Sequence, residues 1–223
     1  MIKKGLILAL ILLMAAAVAY ANSVVNSQHD MRNFIADETT TQVCVFCHTP
    51  HQATAANAQD PLWNHSVTLE QVYGVYTSST FNATATDIGT GNVGAGAQNV
   101  SLLCMGCHDG STAVNALYKQ PLDGTSGTAI SLTSANSAFL GTNLTDDHPV
   151  NFAYNASLVA VDGGTGLNAP VATNRVDNTV PWIPLFNESV QCASCHNVHD
   201  NQYGPFLRAT NVGSGLCLRC HIK

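Results

Sequence analysis

The cysteines of this 223-residue chain fall into one repeated pattern. They read Cys44-Val45-Phe46-Cys47-His48, Cys104-Met105-Gly106-Cys107-His108, Cys192-Ala193-Ser194-Cys195-His196 and Cys217-Leu218-Arg219-Cys220-His221. All eight cysteines are used, and a histidine follows every second one. Two thiols three positions apart lie on one side of a helical turn, within reach of the two vinyl groups along one edge of a porphyrin. The next residue then lies under the ring, where its imidazole can bind iron. C-x-x-C-H is the attachment pattern of haem c. Four such motifs predict four covalently bound haem c groups, with His48, His108, His196 and His221 as first axial ligands. Four disulfides, or zinc held by paired C-x-x-C units, would leave those four histidines unexplained. The gaps of 57, 85 and 22 residues between successive motifs are also too uneven for a repeated zinc module.

Five further histidines remain: His29, His51, His65, His148 and His199. Each iron takes a sixth ligand or stays open. Beyond residue 21 the methionines are Met31 and Met105, and Met105 lies inside a motif. Methionine ligation is therefore not general, and five histidines for four irons predict bis-histidine coordination throughout. Such sites are low in potential relative to Met-ligated haem and closed to substrates. His51 and His199 each lie three residues after a motif histidine. If the motif turn continues helically, residues three apart point the same way, whereas two axial ligands approach one iron from opposite faces. His51 and His199 should therefore serve neighbouring haems rather than their own. His148, in the long cysteine-free span, is expected to tie that span to the haems. One histidine is spare, and His65 is taken to be that one.

The N-terminus reads as an export leader. Lys3 and Lys4 precede an apolar run from Gly5 to Val18, and Ala19-Tyr20-Ala21 supplies small residues for cleavage. Residues 1–21 are thus predicted to be a signal peptide, too short for a membrane span, and residues 22–223 a single domain. The processed chain would hold six basic and fourteen acidic residues, a charge of −8. Nothing in that balance suggests a nucleic-acid partner.

Turn-rich stretches such as residues 89–96 and Asp162-Gly163-Gly164-Thr165-Gly166 exclude long helices or strands. The expected fold is mostly irregular with short α-helices at the motifs. A further helix is predicted over Ser111–Tyr118, and short strands over Val72–Phe81 and Val150–Tyr154. Aromatic residues are only 7% of the chain. An ordinary side-chain core would be weak, so the chain should wrap around a stack of haems, and without them be largely unfolded.

The order His29-Asp30, Cys44-x-x-Cys47-His48-Thr49-Pro50-His51 and Pro61-Leu62-Trp63-Asn64 resembles multihaem cytochromes of metal-reducing bacteria. With four motifs and a leader, the chain is similar to tetrahaem outer-surface cytochromes that polymerise into conductive filaments, the outer-membrane cytochrome E type. The resemblance covers the motifs and the segment around Trp63, not the loops. It implies bis-histidine haems stacked in a continuous chain, a homo-oligomeric filament, and an axial histidine donated between subunits, with His29 the candidate donor. It further implies an extracellular or cell-surface electron carrier, not an enzyme, meeting redox proteins or external acceptors. Two other readings are a soluble periplasmic tetrahaem shuttle and a multihaem reductase. The reductase needs an open iron, which the histidine surplus argues against.

Overall fold

The computed structural model describes residues 24–51, 53, 62–67, 71–89 and 99–223. The expected leader and most of the glycine-rich run at 89–96 lie outside these residues. Among the described residues no helix is long and apolar enough to cross a membrane.

Regular structure is sparse and gathers at the motifs. Helix α1 (Val100–His108) contains the whole second motif, α2 (Ala156–Val161) lies in the long inter-motif span, and α3 (Cys192–Cys195) is the third motif itself. The first and fourth motifs form 3-10 turns at Val43–Phe46 and Cys217–Arg219. Strands β1 (Phe152–Ala153) and β2 (Ser189–Val190) pair antiparallel, Phe152 opposite Val190. Local side chains set these limits. Asn99 caps α1 by accepting from Leu102 N at 3.3 Å, and Asn155 caps α2 by accepting from Ser157 and Leu158 N–H. Gly110, at φ +73°, ends the α1 segment: a Cβ there would sit 2.5 Å from the Phe139 ring and 2.6 Å from Leu132 O.

Two expectations fail here. Ser111–Tyr118 forms turns rather than a helix. Its backbone is committed to distant partners, Val114 N donating to Ile130 O at 2.8 Å and Ser66 N to Ala116 O at 2.9 Å. Asn115 adds donations to the carbonyls of Ser126, Gly127 and Thr128. Such side-chain-to-backbone bonds compete with helix formation. Val72–Phe81 is likewise no strand, and makes only a single parallel bridge between Gly74 and Asn143. The strand expected over Val150–Tyr154 is present, shortened to the two residues of β1.

The buried apolar residues form three small clusters, and each one touches a motif. Ile35, Phe46, Val114 and Leu132 pack beside Cys47 and Cys107. Tyr73, Ile88, Leu102, Met105 and Leu144 surround the second motif, while Phe152, Tyr154, Val176, Ile183 and Leu185 back Cys220. Met105 is fully buried in its cluster and Met31 packs against the first, so neither acts as a spare ligand arm.

Candidate haem-binding sites

Each motif closes into one tight turn. Outside α1, the motif histidine N–H donates to the carbonyl of the first cysteine: His48 to Cys44 at 2.8 Å, His196 to Cys192 at 3.1 Å, His221 to Cys217 at 2.9 Å. In such a turn residues three and four positions apart share a face, as attachment along one porphyrin edge needs. The turn does not continue as helix. His196 is extended at φ −109°, ψ 146°, and His48 bridges to Trp63. Helical continuation therefore does not direct His51 and His199; long-range packing does.

Three motif histidines each face one non-motif histidine. The ring centres are 6.1 Å apart for His29–His108, 6.1 Å for His48–His199 and 6.3 Å for His148–His221. A metal–nitrogen bond of about 2.0 Å plus roughly 1.1 Å from nitrogen to ring centre puts two imidazoles on opposite sides of one metal about 6.2 Å apart. The residues present thus fit an iron held between each pair. None of the pairs joins histidines of the same motif. His199, after the third motif, faces His48 of the first. His29 faces His108 of its own chain.

Second contacts fit the same chemistry. Ligating imidazoles commonly pin one ring nitrogen to a carbonyl, leaving the other for metal. His108 Nδ1 lies 2.7 Å from Ala138 O, His196 Nδ1 3.1 Å from Pro205 O, and His148 Nδ1 3.0 Å from Pro149 O. Burial, with His108, His196 and His199 nearby, pulls the pKa of His29 down to about 4. His29 is therefore neutral, with a lone pair to give, across the neutral range.

His65 differs from all of these. It is 1% exposed, with Nδ1 2.5 Å from Ser66 O, and Nε2 2.9 Å from Ala113 O and 3.3 Å from Cys107 Sγ. Burial lowers its pKa, so the ring is neutral and donates from one nitrogen to one of these carbonyls, while the other nitrogen keeps its lone pair. The ring braces the second motif, where a Cβ on Gly106 would meet Ser66 O at 3.1 Å and His65 Nδ1 at 3.3 Å. His51 is exposed, and among the described residues it makes no ring contact. Among the described residues His196 likewise faces no second imidazole at the spacing of the three pairs.

The attachment turns succeed one another in space in chain order. Cys47 and Cys107 share one apolar cluster. Asn64, fully buried, donates to Val45 O and Lys119 O and so locks the first motif to the segment after the second. Between the second and third motifs lies a buried polar network: Ser101 Oγ donates to Gln191 Oε1 at 2.5 Å and accepts from Cys192 N at 3.0 Å, and Gln191 Nε2 donates to Asn151 at 2.8 Å. The Cys104 and Cys192 thiols meet there. Cys104 donates to Cys192, which raises the Cys104 pKa and lowers that of Cys192. Cys195 in turn senses Cys217, and Cys220 senses Cys195. Burial pushes the thiols of Cys47 and Cys195 up to about 11 and that of Cys220 to about 12. Ser101 and Gln191 escape a reading of the sequence because polar residues are common throughout this chain.

The fourth motif is clamped from outside. Arg219 Nε and Nη2 donate to both Asp177 oxygens at 2.9 and 2.6 Å, and Nη2 also reaches Pro181 O at 2.8 Å. Burial raises the Asp177 carboxyl, but hydrogen bonds from Arg219 and Thr179 outweigh it and hold the pKa below the usual carboxylate value. Asp177→Asn should cost about 1–3 kcal/mol by leaving a half-buried guanidinium short of its partner. Denaturant titration of the haem-loaded protein checks this, and unchanged stability contradicts it. The contribution of this pair is present above the ordinary aspartate pKa and fades as pH falls through the lower folded value.

A shallow cavity of about 280 Å³ is lined by Thr84, Thr86, Asn99, Asn151, Ser189 and Gln191 among others, with no cysteine or histidine in its wall. Among the described residues no three His, Cys, Asp or Glu side chains converge as a bare-metal site would require. The chemistry lies instead at the motif turns and their facing imidazoles.

No curated protein matches the chain. Residues 185–223, which hold the third and fourth motifs, match the doubled CXXCH motif family. That match covers 39 of the 223 residues; with the four C-x-x-C-H motifs it indicates a multihaem c-type cytochrome with covalently bound haem c, a class that works in electron transfer.

Proposed function

We propose that the protein is an exported tetrahaem electron carrier, not an enzyme, whose copies assemble into an extracellular filament that delivers electrons to outside acceptors. The observation that carries the carrier reading is the set of three pairs, each joining one motif histidine to one non-motif histidine at 6.1–6.3 Å. Haem c supplies an iron that gains and loses one electron between its ferrous and ferric forms, with no bond made to a substrate.

The chain's own residues do the rest. The eight cysteines fix the attachment edges. His29, His199 and His148 would supply the second imidazole to the irons held at His108, His48 and His221, and would so keep small molecules away from the metal. The Ser101–Gln191–Asn151 network holds the second and third turns against each other, and Asn64 does the same for the first and second.

Filament assembly is supported by what is left over. The motif histidine His196 needs a second imidazole, and His51 and His65 stand outside the three pairs; His65 is buried beside the second motif, whereas His51 is exposed and can reach another copy. His51 of a second copy would complete the site at His196, and repetition of that contact is head-to-tail and need not close. The test is electron microscopy and sedimentation of the secreted, haem-loaded material. Continuous filaments are expected; monomers alone at high concentration, with all four irons closed, would favour a periplasmic shuttle.

A further inference from the structure

The loop after the third motif is fixed to that motif and reaches across to His29. Asn197 N donates to Phe206 O at 2.8 Å and Arg208 N to Cys195 O at 2.9 Å, while His196 Nδ1 lies 3.1 Å from Pro205 O. The same loop makes two contacts with the segment at Gln28 and His29. Asn201 Nδ2 donates to Gln28 Oε1 at 3.3 Å, and the centre of the Phe206 ring stands 4.4 Å from that of His29, the planes at 69°. His29 thus meets Phe206 as well as His108, which it faces at 6.1 Å with the planes at 59°.

His29 lacks a contact that other histidines of the haem sites have. His108, His148 and His196 each hold Nδ1 within 2.7–3.1 Å of a carbonyl, the kind of contact that orients a ligating imidazole. The Nδ1 of His29 is buried with no hydrogen-bond partner among the described residues. The Phe206 ring, packed edge-to-face as aromatic pairs prefer, is in place to fix its plane instead. Phe206 is itself held firmly. It is 4% exposed, and its φ of +57° lies in the left-handed region that bulky residues rarely adopt. Its N–H donates to Asn201 Oδ1 at 3.1 Å, so the side chain that reaches Gln28 also seats Phe206. Backbone strain of this kind persists only where the surroundings over-determine it, and it gathers at functional sites.

We propose that Phe206 is a positioning residue for the iron at the second motif, its ring setting the plane of the His29 imidazole across from His108. This rests on the haem reading and adds a residue that lies outside the motifs and their histidines. The angle between two axial imidazole planes governs how the iron d orbitals split, and through them the g values of the low-spin ferric ion and its potential.

Phe206→Leu keeps a buried apolar side chain and removes the ring; Phe206→Tyr keeps the ring. Electron paramagnetic resonance of the loaded, oxidised Phe206→Leu protein should show one low-spin signal displaced, the one that His29→Ala abolishes, with the others in place. Redox titration should show one midpoint potential shifted in the same variant. Phe206→Tyr should retain both wild-type readings. Phe206→Gly, which suits the left-handed φ, removes the ring by a second route and should displace the same signal. Unchanged g values and potentials in the loaded ring-less variants would overturn the proposal. So would displacement of every signal together, which a merely structural role would give. Failure of the haem reading itself would show separately, as missing haem mass in the wild-type protein.

Discussion

Replacing His199 with alanine is expected to turn one iron in four high-spin while leaving every haem attached. Attachment depends on the cysteines, and the turn that holds Cys44, Cys47 and His48 is closed by its own backbone bond of 2.8 Å. The variant removes only the imidazole that stands 6.1 Å from His48. With one axial ligand gone, that iron is open, and once reduced it should bind carbon monoxide, which a bis-histidine site does not readily do. About a quarter of the low-spin ferric signal should disappear in His199→Ala. His29→Ala and His148→Ala should act alike at His108 and His221. His65→Ala supplies the contrast: it should destabilise the second motif, which the buried ring braces, yet leave all irons low-spin, because His65 stands outside the three facing pairs. A fully low-spin His199→Ala protein that binds no carbon monoxide would contradict the pairing.

His51→Ala should have the largest effect on assembly and the smallest on the single chain. The three facing pairs do not involve His51, so three irons should stay low-spin and four haems should stay attached. Contact between copies should be lost, with the iron at His196 left open in the resulting monomers. Sedimentation velocity reads the first outcome and carbon monoxide binding the second. Filaments that persist with all four irons closed would place the sixth ligand of His196 elsewhere and leave assembly through His51 without support.

How much of this was legible in the sequence depends on how local each feature is. The motif turns were legible because five consecutive residues fix them. The sparse helices were legible for a related reason, since Gly, Asn and Ser punctuate the chain every few residues. Ligand pairing was not. His199 and His48 are 151 positions apart and meet only through tertiary packing, so no periodicity could select that pair over others. The helical argument for the directions of His51 and His199 relied on turns that stop at His48 and His196. The contact of His29 with His108 was not legible either, because its position in the sequence says nothing of what it meets in space. His65 is distinguished by two carbonyls, Ser66 O and Ala113 O, and the second is contributed by a loop 48 residues away. The missing helix over 111–118 has a similar origin: Asn115 bonds carbonyls that lie beyond any window used to judge helix formation.

The most direct test of covalent haem at every motif is the intact mass of the secreted protein, with peptide mapping across the four motifs. The expected result is the mature polypeptide plus four haems, one on each C-x-x-C-H peptide. Fewer haems, or the mass of the polypeptide alone with its cysteines joined as disulfides, would contradict it.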